Sequence, residues 1–147
     1  DKDKKSTYLC FSVSQELYCL PVEAVVEIQP AGRLTPIPHT PPWYAGIVNI
    51  RGSILPVISF AELIGLKAEA SSKSQMVIVS YKNYKLCFLT GAVKGLKEID
   101  HSELKIEASL TNMVNNEFIK GIANSQFIVL DIEALLRSQK LIVKEEV

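Results

Sequence analysis

The stretch Gly46–Phe60, GIVNIRGSILPVISF, limits the possible folds more than any other part of the chain. Nine of its fifteen residues are Ile, Val, Leu, Phe or Pro, so most of it must be buried. β-Branched residues dominate the run, which favours strand over helix. Gly52 interrupts it, and glycine tolerates the positive φ of a tight turn. The pattern predicts a β-hairpin: Ile47–Ile50 up, a turn at Arg51-Gly52, and Ser53–Ile58 down. Asn49, Arg51 and Ser53 then gather at the tip. A guanidinium among so many aliphatic side chains must reach water or an acidic partner, because burying it unpaired costs too much.

Around this hairpin the chain reads as a series of short strands. Tyr8–Val13 alternates Leu9, Phe11 and Val13 with Cys10 and Ser12, the period of a half-buried strand. Leu17–Leu20 follows a turn at Ser14–Glu16, and Pro21 stops it and opens a short helical turn with Val22, Val25 and Val26 on one face. Ile28–Trp43 holds five prolines and reads as a stiff, extended connection anchored by Ile37 and Trp43. Ser59 and Glu62 have capping-box spacing for a helix of about two turns that ends at Gly65. Residues 67–74 are polar and small, a mobile loop at mid-chain. Met76–Val79 and Lys85–Leu89 are strands about a turn near Asn83, and Val93–Ile99 and Glu103–Glu107 are further short strands or turns. Thr111–Asn116 reads as a loop. Phe118–Ala123 and Phe127–Leu130 form a last hairpin, and Asp131 caps a helix running to about Lys140. Leu141–Val143 is expected to dock as a tail, and residues 1–7 and 144–147 to be flexible ends. The start without Met suits a domain trimmed or cut from a longer protein.

Two stretches repeat. Val57–Ile64 parallels Val129–Leu136, each a strand, a capping residue, an apolar residue, two spacers and two apolar residues. Upstream, Gly46–Asn49 parallels Gly121–Asn124. Two related β units follow, with a break near 66–75, and their short, regular strands favour small barrels over an open sheet. The second copy closes its hairpin with Asn124-Ser125-Gln126, so the scaffold itself does not require Arg51. Either a salt bridge to Glu27 or a partner placed it there, and both can hold at once.

The totals exclude several classes of function. At 147 residues this is a one-domain length with enough chain for a sizeable core. Sixteen basic residues balance sixteen acidic ones, so no global field draws nucleic acid or an anionic membrane. No apolar run reaches the ~18–20 residues that span a bilayer, so no direct membrane contact is expected. Cys10, Cys19 and Cys87 lie in apolar runs and read as small buried hydrophobes of a reducing compartment, with a zinc site or redox pair as the alternative. Asp100-His101-Ser102 has the letters of a catalytic triad, but sequence neighbours rarely hold triad geometry. There is no phosphate-cradling glycine loop and no carboxylate cluster. Catalytic, metal and cofactor sites are therefore expected to be absent. A rigid β module with apolar surface to spare suits protein–protein contact, and a barrel with a small-ligand cleft is the rival from another class.

Gly46, Asn49, Arg51, Gly52, Pro56 and Val57, spaced G-x-x-N-x-R-G-x-x-x-P-V, resemble the core signature of CheW-like domains, adaptor modules of chemotaxis. The likeness continues through Phe11–Val13, Tyr18–Val22, Glu27-Ile28, Ile37-Pro38 and Pro42-Trp43, then Met76–Tyr81, Leu130–Ile132 and Leu135-Leu136, and covers roughly residues 8–138. It implies a mainly β fold: two small SH3-like five-stranded β-barrels packed around a shared core, with short helices. It implies a non-catalytic cytoplasmic adaptor, at membrane-associated receptor arrays, between a CheA-type histidine kinase regulatory domain and the cytoplasmic tip of a methyl-accepting chemoreceptor. Val25, Glu27, Asn49, Arg51 and Gly52 carry over as partner-binding residues, with Val25, Glu27 and Arg51 near the receptor-facing groove. The chain departs from the family's Val-Asp-x-Val pattern at Leu89–Val93, where Gly91 replaces the acid. That departure suits a specialised adaptor, pilus-linked or polar-targeting, or a CheW-like domain of a larger scaffold.

Overall fold

The computed structural model describes residues 4–68, 73–106 and 116–138. Its strands are β1 (Lys5–Val13), β2 (Glu16–Pro21), β3 (Val25–Pro30), β4 (Tyr44–Ile50), β5 (Ser53–Ser59), β6 (Gln75–Tyr81), β7 (Tyr84–Thr90), β8 (Val93–Asp100), β9 (Ile119–Ala123) and β10 (Phe127–Leu130). Two short helices, α1 (Phe60–Leu63) and α2 (Ile132–Leu136), follow β5 and β10. The expected tail at 141–143 and the flexible ends at 1–3 and 144–147 lie outside the described residues, as do 69–72 of the loop at 67–74 and 111–115 of the loop at 111–116. Within the expected N-terminal end, Lys5–Thr7 already belong to β1.

The strands form two five-stranded sheets, ordered β8-β1-β2-β10-β9 and β3-β6-β7-β5-β4. Each holds one parallel pair, β10 with β2 and β5 with β7. The Lys105–Ile122 bridge ties the chain after β8 to β9, and the Thr35–Ile47 bridge ties the chain after β3 to β4. Each bridge draws the two outer strands of its sheet together, as closure of a small barrel requires. Glycine permits both approaches. A Cβ on Gly46 would lie 2.6 Å from the Thr35 carbonyl oxygen, and one on Gly121 would lie 2.8 Å from the Leu104 Cβ.

The repeat is present in the order of elements: β1–β5 and α1 recur as β6–β10 and α2. The expected spatial break near 66–75 is corrected, because each barrel mixes the two halves. Hairpin β1–β2 sits with β8, β9 and β10, and hairpin β6–β7 sits with β3, β4 and β5. The connections explain the exchange. After Pro21 a 3-10 turn at Val22–Ala24 turns the chain away from β2, so β3 pairs with β6. After β7, Gly91 donates its N–H to the Ser12 carbonyl and Ser12 donates to the Ala92 carbonyl, which sets β8 beside β1.

Three apolar cores result among the described residues. The shared one lies between the barrels and joins Phe11, Tyr18 and Leu20 to Ile58, Val77, Val79 and Phe88. Phe60 is its hub, with ring centroids 5.2 Å from Phe11, 5.1 Å from Tyr18 and 5.8 Å from Phe88, in the edge-to-face geometry aromatic rings prefer. Each barrel also fills its own interior, one with Tyr8, Cys10, Cys19, Ile99, Ala123 and Val129, the other with Leu55, Val57, Met76, Ile78 and Cys87. β1 is therefore buried on both faces over Tyr8–Phe11, where alternation alone predicted one.

The caps form as expected. Ser59 Oγ accepts from the Glu62 N–H at 3.3 Å and Asp131 Oδ1 from the Ala134 N–H at 3.1 Å. α1 is a single turn, cut short by Gly65 at φ 90°, and α2 ends at Leu136, short of the expected Lys140. Val25–Pro30 is strand, not the end of a helical turn and the start of a loop. Trp43 packs against the shared core as expected, whereas Ile37 is exposed.

Candidate functional site

The central hairpin has the register its sequence predicts. Ile50 pairs with Ser53, leaving Arg51-Gly52 as a two-residue loop with φ values of 51° and 88°. Positive φ at both positions is what a type I′ hairpin turn demands. Asn49 Oδ1 accepts the Gly52 N–H at 2.8 Å, so this side chain and this glycine hold the turn that presents Arg51.

Glu27 reaches the same place from β3. Val25 pairs with Val79 and Glu27 with Ile78, which leaves Val26 as the extra residue of a β-bulge. Val25 turns inward against the shared core, while Val26 stands out 54% exposed. Arg51 Nη1 donates to Glu27 Oε1 at 2.6 Å, and Gln29 Nε2 donates to Glu27 Oε2 at 2.7 Å. Both carboxylate oxygens are thus engaged. The Gln29 amide, and then the Arg51 charge, hold the Glu27 carboxyl below its ordinary value. β3 and β4 are the outer strands of their sheet, so the ion pair is a second clasp across the barrel seam.

The clasp is lopsided. The Glu27 side chain is 18% exposed and the Arg51 side chain 77%. An ion pair this open adds little to stability. What it does is hold a guanidinium in one orientation while most of its five donors face water. The same strands carry exposed aliphatics: Val26 and Ile28 are the sequence neighbours of Glu27 on β3, and Ile54 pairs with Asn49 across the hairpin. Of the five residues anticipated, Glu27 and Arg51 meet directly, Asn49 and Gly52 set the turn, and Val25 is partly buried against the core. Val26, Ile28 and Ile54 were missed. Valine and isoleucine in a strand read as core unless register and bulge are known, and β3 takes both from β6.

Gly91 has a local reason. A Cβ there would overlap the Ser12 carbonyl oxygen, so an aspartate would have to displace β1. Beside it an open hollow of about 260 Å³ is edged by Ser12, Ser14, Lys67, Lys73 and Lys94. The Tyr18 hydroxyl is the buried side-chain polar group without a partner among the described residues, and it is not part of that lining. Asp100-His101-Ser102 is a capped 3-10 turn: Asp100 Oδ1 accepts from the Ser102 N–H and hydroxyl, while His101 bonds the Tyr8 hydroxyl at 3.0 Å. No helix among the described residues is long and apolar enough to cross a membrane.

The chain and its fold have known relatives. The Chemotaxis protein CheW of Thermotoga maritima is 26% identical over 153 residues, spanning 100% of this chain and 97% of the relative. The Chemotaxis protein CheW of Rhizobium meliloti is 25% identical over 115 residues, 78% of this chain and 74% of its own. The crystal structure of the scaffolding protein TtCheW from Thermoanaerobacter tengcongensis superposes with a TM-score of 0.79 at 28% identity, covering 92% of this chain and 94% of that one. The model of the CheW-like domain matches residues 7–140, and the chain belongs to that family.

Proposed function

We infer that this CheW-like domain is a non-catalytic coupling adaptor of chemotaxis signal transduction, and we propose which of its residues meet a partner. One surface engages the regulatory domain of a CheA-type histidine kinase. Another, built on the Glu27–Arg51 clasp, receives the helical tip of a chemoreceptor, in the cytoplasm at receptor arrays. The carrying observation is the shielded acid holding an open guanidinium, on strands that also expose Val26, Ile28 and Ile54. An amphipathic helix presents an apolar stripe flanked by carboxylates and amides, which such a surface fits. Contacts of this kind are individually weak and gain strength from repetition in an array.

Co-purification tests the assignment, with wild type and Arg51→Ala each offered the kinase regulatory domain and a receptor tip. The expected result is unchanged kinase capture with receptor capture several-fold lower for Arg51→Ala. Equal receptor capture by both proteins would remove Arg51 from the interface. A large drop in the Tm of Arg51→Ala would return it to a structural role.

A further inference from the structure

The interior of the barrel containing β1 and β2 holds a feature the adaptor role does not use. Cys10 and Cys19 face each other in direct register across the β1–β2 ladder, with Sγ atoms 2.7 Å apart. Both are free thiols, 3% and 0% exposed, packed with Tyr8, Ile99, Ala123 and Val129. Directly opposed residues of an antiparallel pair have Cα atoms about 4.5 or 5.5 Å apart, and both values fall within the span a disulfide bridges. The sulfurs need approach by only about 0.7 Å to reach bonding distance. The other barrel shows that the position does not demand two thiols. There the matching crossing pairs Ile78 with Cys87.

We propose that Cys10 and Cys19 are an oxidative modification site, converted by a peroxide into a disulfide that staples β1 to β2. The Cys10 thiolate attacks one peroxide oxygen, the O–O bond breaks, and the departing hydroxide takes up a proton to become water, leaving a sulfenic acid. The Cys19 sulfur then attacks the Cys10 sulfur, the S–O bond breaks, and the second water leaves with the Cys19 proton. Two thiols lose two electrons, and one hydrogen peroxide becomes two waters. The two sulfurs share a hydrogen bond in which either can donate. That bond lowers the Cys10 pKa against the opposing effect of burial, with help from the Lys97 charge, and raises that of Cys19, so Cys10 is the one to react first. The staple would fix the hairpin that carries Phe11 and Tyr18 into the shared core.

The test exposes the folded full chain to hydrogen peroxide, quenches it, denatures it, alkylates the remaining thiols and measures intact mass and peptides. The expected result is one alkylatable cysteine instead of three, a mass loss of about 2 Da before alkylation, and a 10–19 bridge that dithiothreitol reverses. Cys87→Ser should keep the mass loss. Cys10→Val, which keeps the barrel interior apolar, should abolish it. Three alkylatable cysteines after exposure, or a bridge involving Cys87, would overturn the proposal.

Discussion

Val25, Val26, Glu27 and Ile28 run along β6 as Val93, Lys94, Gly95 and Leu96 run along β1, with a bulge at the same step in each pair. Cys19 and Cys87, Val129 and Val57, and Ile122 and Ile47 likewise take matching places in the two barrels. These matched positions stay small or aliphatic in both copies. The ends differ: one barrel has Glu27 and an Arg51-Gly52 loop, the other has Gly95 and Asn124-Ser125. Acid and base are absent together from the second copy. Closing a barrel therefore does not need the clasp, and what the clasp adds is an oriented charge at one end of the molecule.

If the halves were interchangeable, each should accept the other's residue. The largest expected failure is Gly91→Glu, which imports the counterpart residue Glu23 from the turn between β2 and β3. The new Cβ would overlap the Ser12 carbonyl, and β1 would have to move. A loss of roughly 3 kcal/mol or more is expected, about 6–12 °C in Tm. A Tm within a degree or two of wild type would show that the exchanged connections are not tightly specified.

The glycines at the two barrel seams sharpen the comparison. Gly46→Ala forces a Cβ toward a backbone oxygen at φ 149°, whereas Gly121→Ala presses on the side chain of Leu104. Urea denaturation should give a loss of about 2–3 kcal/mol for Gly46→Ala and about 1 kcal/mol for Gly121→Ala. The reverse order would contradict the placement of the seams.

A smaller difference separates the two helices. Glu133 on α2 accepts hydrogen bonds from Lys82 in the turn after β6 and from Tyr81 at the end of β6, while its counterpart on α1 is Ala61. Lys82, and then Arg137, lower the Glu133 carboxyl below its ordinary 4.5. The unfolded chain therefore takes up the proton first as pH falls. The contribution of Glu133 is fully present above about pH 4.5 and is lost as pH falls through its lowered folded value. Glu133→Gln should lower Tm slightly above about pH 4.5 and converge with wild type in acid, which flattens the acid decline in that window, whereas Ala61→Gln should leave the slope as it is.

Features set by near neighbours were legible in the sequence. The Gly46–Phe60 hairpin, the caps at Ser59 and Asp131, and the recurrence of hairpin and helix all follow from spacing, turn chemistry and period. The Glu27–Arg51 pair was legible because an exposed-tip guanidinium near an unassigned acid has few other options. What stayed hidden depends on remote partners. β3 looks like a loop because prolines follow it, and it becomes a strand by pairing with β6. The bulge that exposes Val26, the exchange of hairpins and the meeting of Cys10 with Cys19 all depend on register, which a single chain read in order does not display.

The central claim is that the receptor-facing end of the molecule is the end the two barrels do not share. The direct measurement is an NMR titration of the isotope-labelled domain with a receptor helical tip, following backbone amides. The account predicts shifts concentrated at Val26, Glu27, Asn49, Arg51 and Gly52, with Gly95, Asn124 and Ser125 still. Shifts centred on Gly95 and the Asn124-Ser125 turn, with the clasp unmoved, would contradict it.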